Sequence, residues 1–281
     1  MSREGEARRA IAVRSAGRDW SFLVDDAATA DEVLWHFGAW ASVGARPSDS
    51  AGTFRLVSCD DAGGEAGARA TADGLAITGP SWDLTASGPP DAQRIEVRHR
   101  RGSAVIAAAT ALRSMTMRCA FSTGRVLLHA SSVRTSRGVI VFTGPSGAGK
   151  STAAATFGEG DRLDEDLAVL ARSDGRWLRL DVPDRSRPGA LPPVGAALPV
   201  RAVLFPAAGA AFALTTANDA GAVTRCLHVP WFVNALPVDE AAESTARMLA
   251  GAARLVADVP CAEMVWRLGD DVPGLLAREL P

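Results

Sequence analysis

Short apolar runs of period two, separated by turn residues, fill roughly the first hundred positions of the chain. Ala10-Ile11-Ala12-Val13, Trp20-Ser21-Phe22-Leu23-Val24, Thr53-Phe54-Arg55-Leu56-Val57 and Gly74-Leu75-Ala76-Ile77-Thr78 each predict a strand. Between them Asp31 to Trp40 predicts one helix, and Ser87-Gly88-Pro89-Pro90-Asp91 marks a turn or a linker. The pattern then changes. Ser103 to Phe121 reads as a helix, Arg125 to Ala130 as a strand, and Gly138-Val139-Ile140-Val141-Phe142-Thr143 as a buried β-branched strand. Alanine-rich Ser151 to Phe157 predicts a short helix that Gly158 and Gly160 end. Downstream come a strand over Leu163–Leu170 and a hairpin turn at Ser173-Asp174-Gly175 leading into Trp177–Leu180. A proline- and glycine-rich loop from Asp184 to Pro199 precedes strands at Arg201–Phe205 and Phe212–Thr215. A helix over Asp239–Ala257 and a strand over Cys261–Leu268 close the pattern. The expectation is a small β-rich domain over residues 1–101 and an α/β (or α+β) domain over 102–281.

Composition narrows the class. With 281 residues, 47% hydrophobic content and a net charge of −2, the chain predicts a globular protein without the basic footprint of a nucleic-acid binder. No stretch carries the eighteen or so uninterrupted apolar residues of a membrane span, and Arg101 and Arg113 bracket the nearest candidate, Ala104–Leu112. The charged start Met1-Ser2-Arg3-Glu4-Gly5-Glu6 does not read as a secretion signal, so a cytoplasmic protein with no membrane partner is expected. Cys59, Cys119, Cys226 and Cys261 are too widely spaced to suggest a zinc site or a disulfide framework.

One position changes the picture most. Lys150 is the only lysine among 30 basic residues. It sits in Gly144-Pro145-Ser146-Gly147-Ala148-Gly149-Lys150-Ser151, which fits the phosphate-loop pattern G-x-x-x-x-G-K-[ST] at every fixed position. A compact ammonium can enter between β- and γ-phosphates where a planar guanidinium fits poorly. Strand, glycine loop and helix start would together aim backbone N–H groups and a positive dipole end at an anion. The expected ligand is a nucleotide, held through its phosphates by Gly144, Pro145, Ser146, Gly147, Ala148, Gly149, Lys150, Ser151 and Thr152.

Phosphoryl transfer also needs metal and acceptor groups. Phe22-Leu23-Val24-Asp25-Asp26 and Phe54 through Asp60-Asp61 imitate a strand-end aspartate, but both lie far upstream and read as strands entering polar turns. Asp164-Glu165-Asp166 follows Lys150 closely enough for a short helix to return it to the phosphates, though a solvated turn explains it equally well on its own. His129 lies on the strand before the phosphate-loop strand and could stand at the same end.

Leu128-His129-Ala130-Ser131-Ser132-Val133, the run Gly138 to Thr152, and Asp164-Glu165-Asp166 together resemble HPr kinase/phosphorylase and its relatives. Val259-Pro260-Cys261-Ala262-Glu263-Met264 is similar to a late strand of that group, so the likeness spans roughly 125–281 and is most specific over 125–170. The resemblance implies a P-loop nucleotide-binding fold of the HPr-kinase/phosphoenolpyruvate-carboxykinase type. It also implies ATP and Mg²⁺ as cofactors, and a peptide or protein whose serine accepts the γ-phosphoryl group. Carried over, Lys150 neutralises phosphate charge, Ser151 and Asp166 hold Mg²⁺, Glu165 is the base for the hydroxyl, and His129 lines the acceptor site. The alternative register makes Asp164 and Glu165 the working pair. Glutamate stands where that family has its first aspartate, and no glycine-arginine loop is evident beyond Arg185-Ser186-Arg187-Pro188-Gly189. These departures imply an HPr-kinase-like protein rather than the HPr enzyme itself. A small-molecule hydroxyl kinase and a regulatory nucleotide-binding module stay open as alternatives, and so does a homo-oligomer.

Overall fold

A computed structural model of the chain describes residues 9–43, 52–72, 74–89, 92–183 and 197–280. Arg185 to Gly189, the candidate cationic loop, lies outside them. The described residues form a mixed α/β protein with two large sheets, each in its own compact unit.

The first unit runs to Ser122 and takes in Pro230–Ser244. Its elements are β1 (Arg9–Ser15), β2 (Arg18–Val24), α1 (Ala27–Phe37), β3 (Ala41–Val43), β4 (Gly52–Ser58), β5 (Gly67–Thr71), β6 (Gly74–Gly79), β7 (Trp82–Ser87), β8 (Gln93–His99) and α2 (Ala104–Ser122). The strands join in the order β3-β1-β2-β4-β8-β7-β6-β5, parallel at β2/β4 and β4/β8 and antiparallel elsewhere. Period-two patterning puts Trp20, Phe22, Phe54, Leu56, Ile95 and Val97 in the core, where Phe22 stacks on Phe54 with ring centroids 4.5 Å apart. Burial of each such ring is worth about 1.5–3 kcal/mol.

Helix α1 starts four residues before its expected Asp31. Asp26 caps it, its Oδ1 accepting from the Thr29 backbone N–H at 2.7 Å, and a cap carries no apolar periodicity for a pattern to detect. Helix α2 is buried along most of its length, from Ala104 to Phe121, and packs on α1, β4, β7 and β8. The domain boundary expected between 101 and 102 therefore moves to Ser122. Loop composition suggested a break before α2, whereas its apolar surface is covered by the preceding sheet.

The second unit contains Thr123–Val182, 197–229 and Thr245 onward. Its elements are β9 (Val126–Leu128), β10 (Ala130–Thr135), β11 (Gly138–Thr143), α3 (Lys150–Ala155), β12 (Arg162–Asp164), β13 (Ala168–Ser173), β14 (Arg176–Leu180), β15 (Leu198–Ala208), β16 (Ala213–Thr216), α4 (Ala220–Arg225), α5 (Val238–Asp258, entering from Thr245), β17 (Cys261–Trp266) and α6 (Val272–Glu279). The nine-stranded sheet has the path β12-β10-β11-β15-β14-β13-β9, with β17 on β15 and β16 on β17. Strands β11, β15 and β17 run parallel, and the rest pair antiparallel.

The unbroken apolar run of β11 has a reason. Val139 and Val141 face one cluster with Val203 and Leu255, while Ile140 and Phe142 face another with Ala153, Leu204 and Leu276. A strand covered on both faces has no polar side to alternate with. At the β13–β14 hairpin Asp174 and Gly175 both take positive φ (48° and 76°), the two-residue turn read from Ser173-Asp174-Gly175. Among the described residues no helix is long and apolar enough to cross a membrane.

Candidate functional site

Two segments of the second unit, 126–135 and 162–173, lie antiparallel and leave their ladders at the same level. Leu128 pairs with Ala168 on one side of the break and Ser132 with Asp164 on the other. His129 stands in the gap between β9 and β10, and Glu165-Asp166-Leu167 in the gap between β12 and β13. The expected strands Arg125–Ala130 and Leu163–Leu170 each ran through one of these gaps. Asp166 enforces the interruption, because its φ of +80° lies in the left-handed region, where short Asp and Asn side chains are among the few non-glycine residues tolerated. Its Oδ1 comes 3.0 Å from Nε2 of His129.

The β10–β11 register brings the same gap to the glycine loop. Ala130 pairs with Thr143, so His129 sits beside the point where β11 gives way to Gly144, and Thr143 Oγ1 donates to the His129 carbonyl at 3.2 Å. From Gly144 the backbone turns through Gly147 (φ +80°) and Gly149 (φ +88°), and Gly149 caps α3. A side chain at either glycine would strain the turn that lets successive N–H groups converge. Pro145, Ser146 and Gly147 are exposed, as are Ser151 and Thr152 at the helix start; Ala148 is half-buried.

Lys150 is buried, and its Nζ donates to the carbonyls of Gly144 at 3.0 Å and Pro145 at 2.9 Å. Loss of hydration pulls its pKa below the ordinary 10.5, and the charge of Asp166 pulls the other way. Asp166 and Lys150 therefore sense each other's charge. Ser151 Oγ lies 3.2 Å from Ser131 Oγ, within hydrogen-bond distance.

The acidic triplet divides into three environments. Asp164 is buried and bound by Arg179, with Nε donating to Oδ2 at 3.0 Å and Nη2 to Oδ1 at 2.6 Å; Ser132 Oγ donates to Oδ2 as well. Arg179 also donates to Asp181 and to the Leu163 carbonyl. A carboxylate so enclosed fixes the end of β12 and is not presented to a ligand. Glu165 is partly exposed, with Oε1 3.7 Å from Arg162 Nη1. Asp166 is largely exposed beside His129. The geometry thus brings His129, Lys150, Ser151 and Asp166 to one end of β11, with Glu165 next to them, and takes Asp164 away.

Three contributors were not read from the sequence. Ser131 stands in the His129 run, but nothing there distinguished its hydroxyl from that of Ser132. Arg179 had a detectable signal, since alternation along β14 puts it on the same inward side as Trp177. His228, whose ring centroid is 5.8 Å from that of His129, lies beyond α4 in a stretch without periodicity and had none.

Hard oxygen donors from Ser151 and Asp166 suit Mg²⁺, which completes its shell with water and phosphate oxygens. The glycine loop, the ammonium and the helix start suit a polyphosphate. No family model matches the chain, and no curated protein matches it significantly.

Proposed function

We propose that the second unit is an ATP-dependent phosphotransferase of the HPr-kinase-like class, with the nucleotide fold of that class, and that it transfers the γ-phosphoryl group to a serine hydroxyl of a peptide or protein. The reading rests on one observation above the others. The lone lysine of the glycine loop and the His129–Asp166 pair meet at the same end of β11, although they come from three separate segments.

In this reading the N–H groups of Gly147 to Lys150 cradle the β-phosphate. Nζ of Lys150 exchanges the two loop carbonyls for β- and γ-phosphate oxygens, which restores the charge interactions lost on burial. Ser151 and Asp166 hold Mg²⁺, which when bound neutralises charge building on the transferred group. His129 keeps the Asp166 carboxylate aimed by its 3.0 Å contact. Glu165 takes the proton from the acceptor hydroxyl as the oxygen attacks phosphorus in line with the departing ADP oxygen. The chain acts in the cytoplasm, with a small-molecule hydroxyl as the second choice of acceptor.

A module that binds nucleotide without transfer is the second reading. It is favoured by the proximity of Arg162 to Glu165, which occupies the carboxylate that transfer would need. Incubation with Mg²⁺ and γ-labelled ATP, with serine peptides or small alcohols as acceptors, separates the two. The kinase reading requires label on an acceptor and acceptor-dependent ADP that Lys150→Arg removes. Tight ATP binding with no labelled acceptor in any set leaves the module.

A further inference from the structure

The end of β11 away from the glycine loop borders a cavity of about 340 Å³, between the β10–β11 turn and α6. That size is ample for a small organic molecule. One wall is apolar, formed in part by Phe157, Leu276 and Leu280. Arg134, Arg137 and Arg201 line the cavity as well, with Asp161 as the one acidic residue of the lining among the described residues.

The cations are unequally satisfied. Arg134 is committed, with Nε and Nη2 both 3.3 Å from Asp161 Oδ1 and Nη2 donating to the Gly160 carbonyl at 3.0 Å. Arg137 Nη1 donates to the Leu280 carbonyl at 3.4 Å, a contact that brings no opposing charge. Arg201 Nη2 is shielded from solvent and has no hydrogen-bond partner among the described residues. A shielded guanidinium N–H without an acceptor is costly, and the one carboxylate lining the cavity among the described residues already serves Arg134.

We propose that this cavity is a second binding site, for a small amphipathic anion. Its carboxylate or phosphate head is held by Arg137 and Arg201, and its short apolar body lies against Phe157, Leu276 and Leu280. Both parts are required by the lining. An uncharged apolar molecule would leave the Arg137 guanidinium without a counter-charge, and an inorganic ion would leave the apolar wall in water. The inference does not depend on the activity proposed above.

Titration calorimetry on the full chain tests it with four probes: octanoate, hexyl phosphate, octanol and acetate. Saturable one-to-one binding of octanoate or hexyl phosphate is expected, with octanol and acetate at least tenfold weaker. Whichever head binds more tightly identifies the anion. Arg201→Gln should weaken that binding at least tenfold. Ala277→Phe, which fills the cavity from α6 and leaves the arginines in place, should do the same and decides the matter if Arg201→Gln fails to fold. Circular dichroism confirms the fold of each variant. No saturable binding of either amphiphile, octanol binding as tightly as octanoate, or binding that survives Ala277→Phe would each overturn the site.

Discussion

The sheets of the two units are built from similarly apolar strands, yet they differ in continuity. In the first unit the β1–β2, β2–β4, β4–β8 and β7–β8 ladders run from end to end without a shift of register. In the second, register shifts occur at Ser132/Val133 and Val139/Ile140, and two adjacent segments leave their ladders at His129 and Glu165–Leu167. Regular pairing satisfies every backbone group and leaves side chains only two directions to point. A break frees those directions, and the polar groups of the candidate site project where the ladder stops. The comparison also separates two acids two residues apart. Asp164, still in the ladder, is locked to Arg179, whereas Asp166, out of it, meets His129.

The sharpest test of that contrast is at the break. Glu165→Gln is expected to retain ATP binding and lose acceptor phosphorylation by roughly two to four orders of magnitude, because an amide of the same size cannot take the proton. Asp164→Asn should instead lose stability. Steady-state kinetics beside a nucleotide titration reads both, and full activity in Glu165→Gln with a folded but dead Asp164→Asn would move the working pair to the other register.

Within the ladder, Arg179→Met should cost about 3–5 kcal/mol of stability, since it leaves a buried carboxylate without its counter-charge. The double variant Arg179→Met/Asp164→Asn should recover a large part of that loss in urea unfolding. An Arg179→Met protein as stable as the parent would show that the break, and not this pair, fixes the end of β12.

At the glycine loop, Lys150→Arg keeps the charge and loses the fit, with an expected fall in kcat of about 10²–10³-fold. A pH series adds a signature. Burial holds the Lys150 pKa below 10.5, so ADP affinity of the parent should weaken as pH rises through that lowered value, while the arginine variant stays charged and its affinity stays level. Parallel curves for the two proteins would exclude Lys150 from the phosphate contact.

His129→Ala should reduce transfer by at most roughly 10²-fold, through a less well-aimed Asp166, with ATP affinity in the absence of Mg²⁺ unchanged. A loss as large as that expected of Glu165→Gln, with nucleotide affinity intact, would make the ring itself the proton acceptor.

The smallest effect belongs to the regular unit. Asp26→Ala removes the cap of α1 at an expected cost of about 1 kcal/mol at neutral pH. Burial would raise the Asp26 pKa, but hydrogen bonds from Thr29 outweigh it and hold the group below 3.8. The stabilisation is therefore complete above that value and fades as pH falls through the lowered one. Thermal unfolding of parent and variant at neutral and strongly acid pH should show the gap close.

Much of the site was legible because its parts are local. Gly144 to Ser151 specifies a strand–loop–helix turn through glycines and one lysine, and β11 occupies the six residues its apolar run predicted, Gly138–Thr143. The hairpin at Asp174-Gly175 and the long helices α2 and α5 likewise follow from short-range chemistry. Strands β3, β5, β7 and β8 and helices α4 and α6 were not among the expected elements. Strands β5 and β7 pair with neighbouring strands in hairpins, whereas β8 lies on β4 and α6 packs on β11, both distant in the chain.

The sequence by itself determined the glycine loop, the single cation in it and the alternation that makes the strands, because each depends on neighbours within a few residues. It could not divide the acidic triplet. Asp164, Glu165 and Asp166 are chemically alike as text, and only the pairing of Ser132 with Asp164, the inward face of Arg179 and the left-handed turn at Asp166 send one acid into the core and another to His129. Tertiary structure decides this because burial and charge pairing join residues that the chain keeps apart, and these set which carboxylate a ligand can reach.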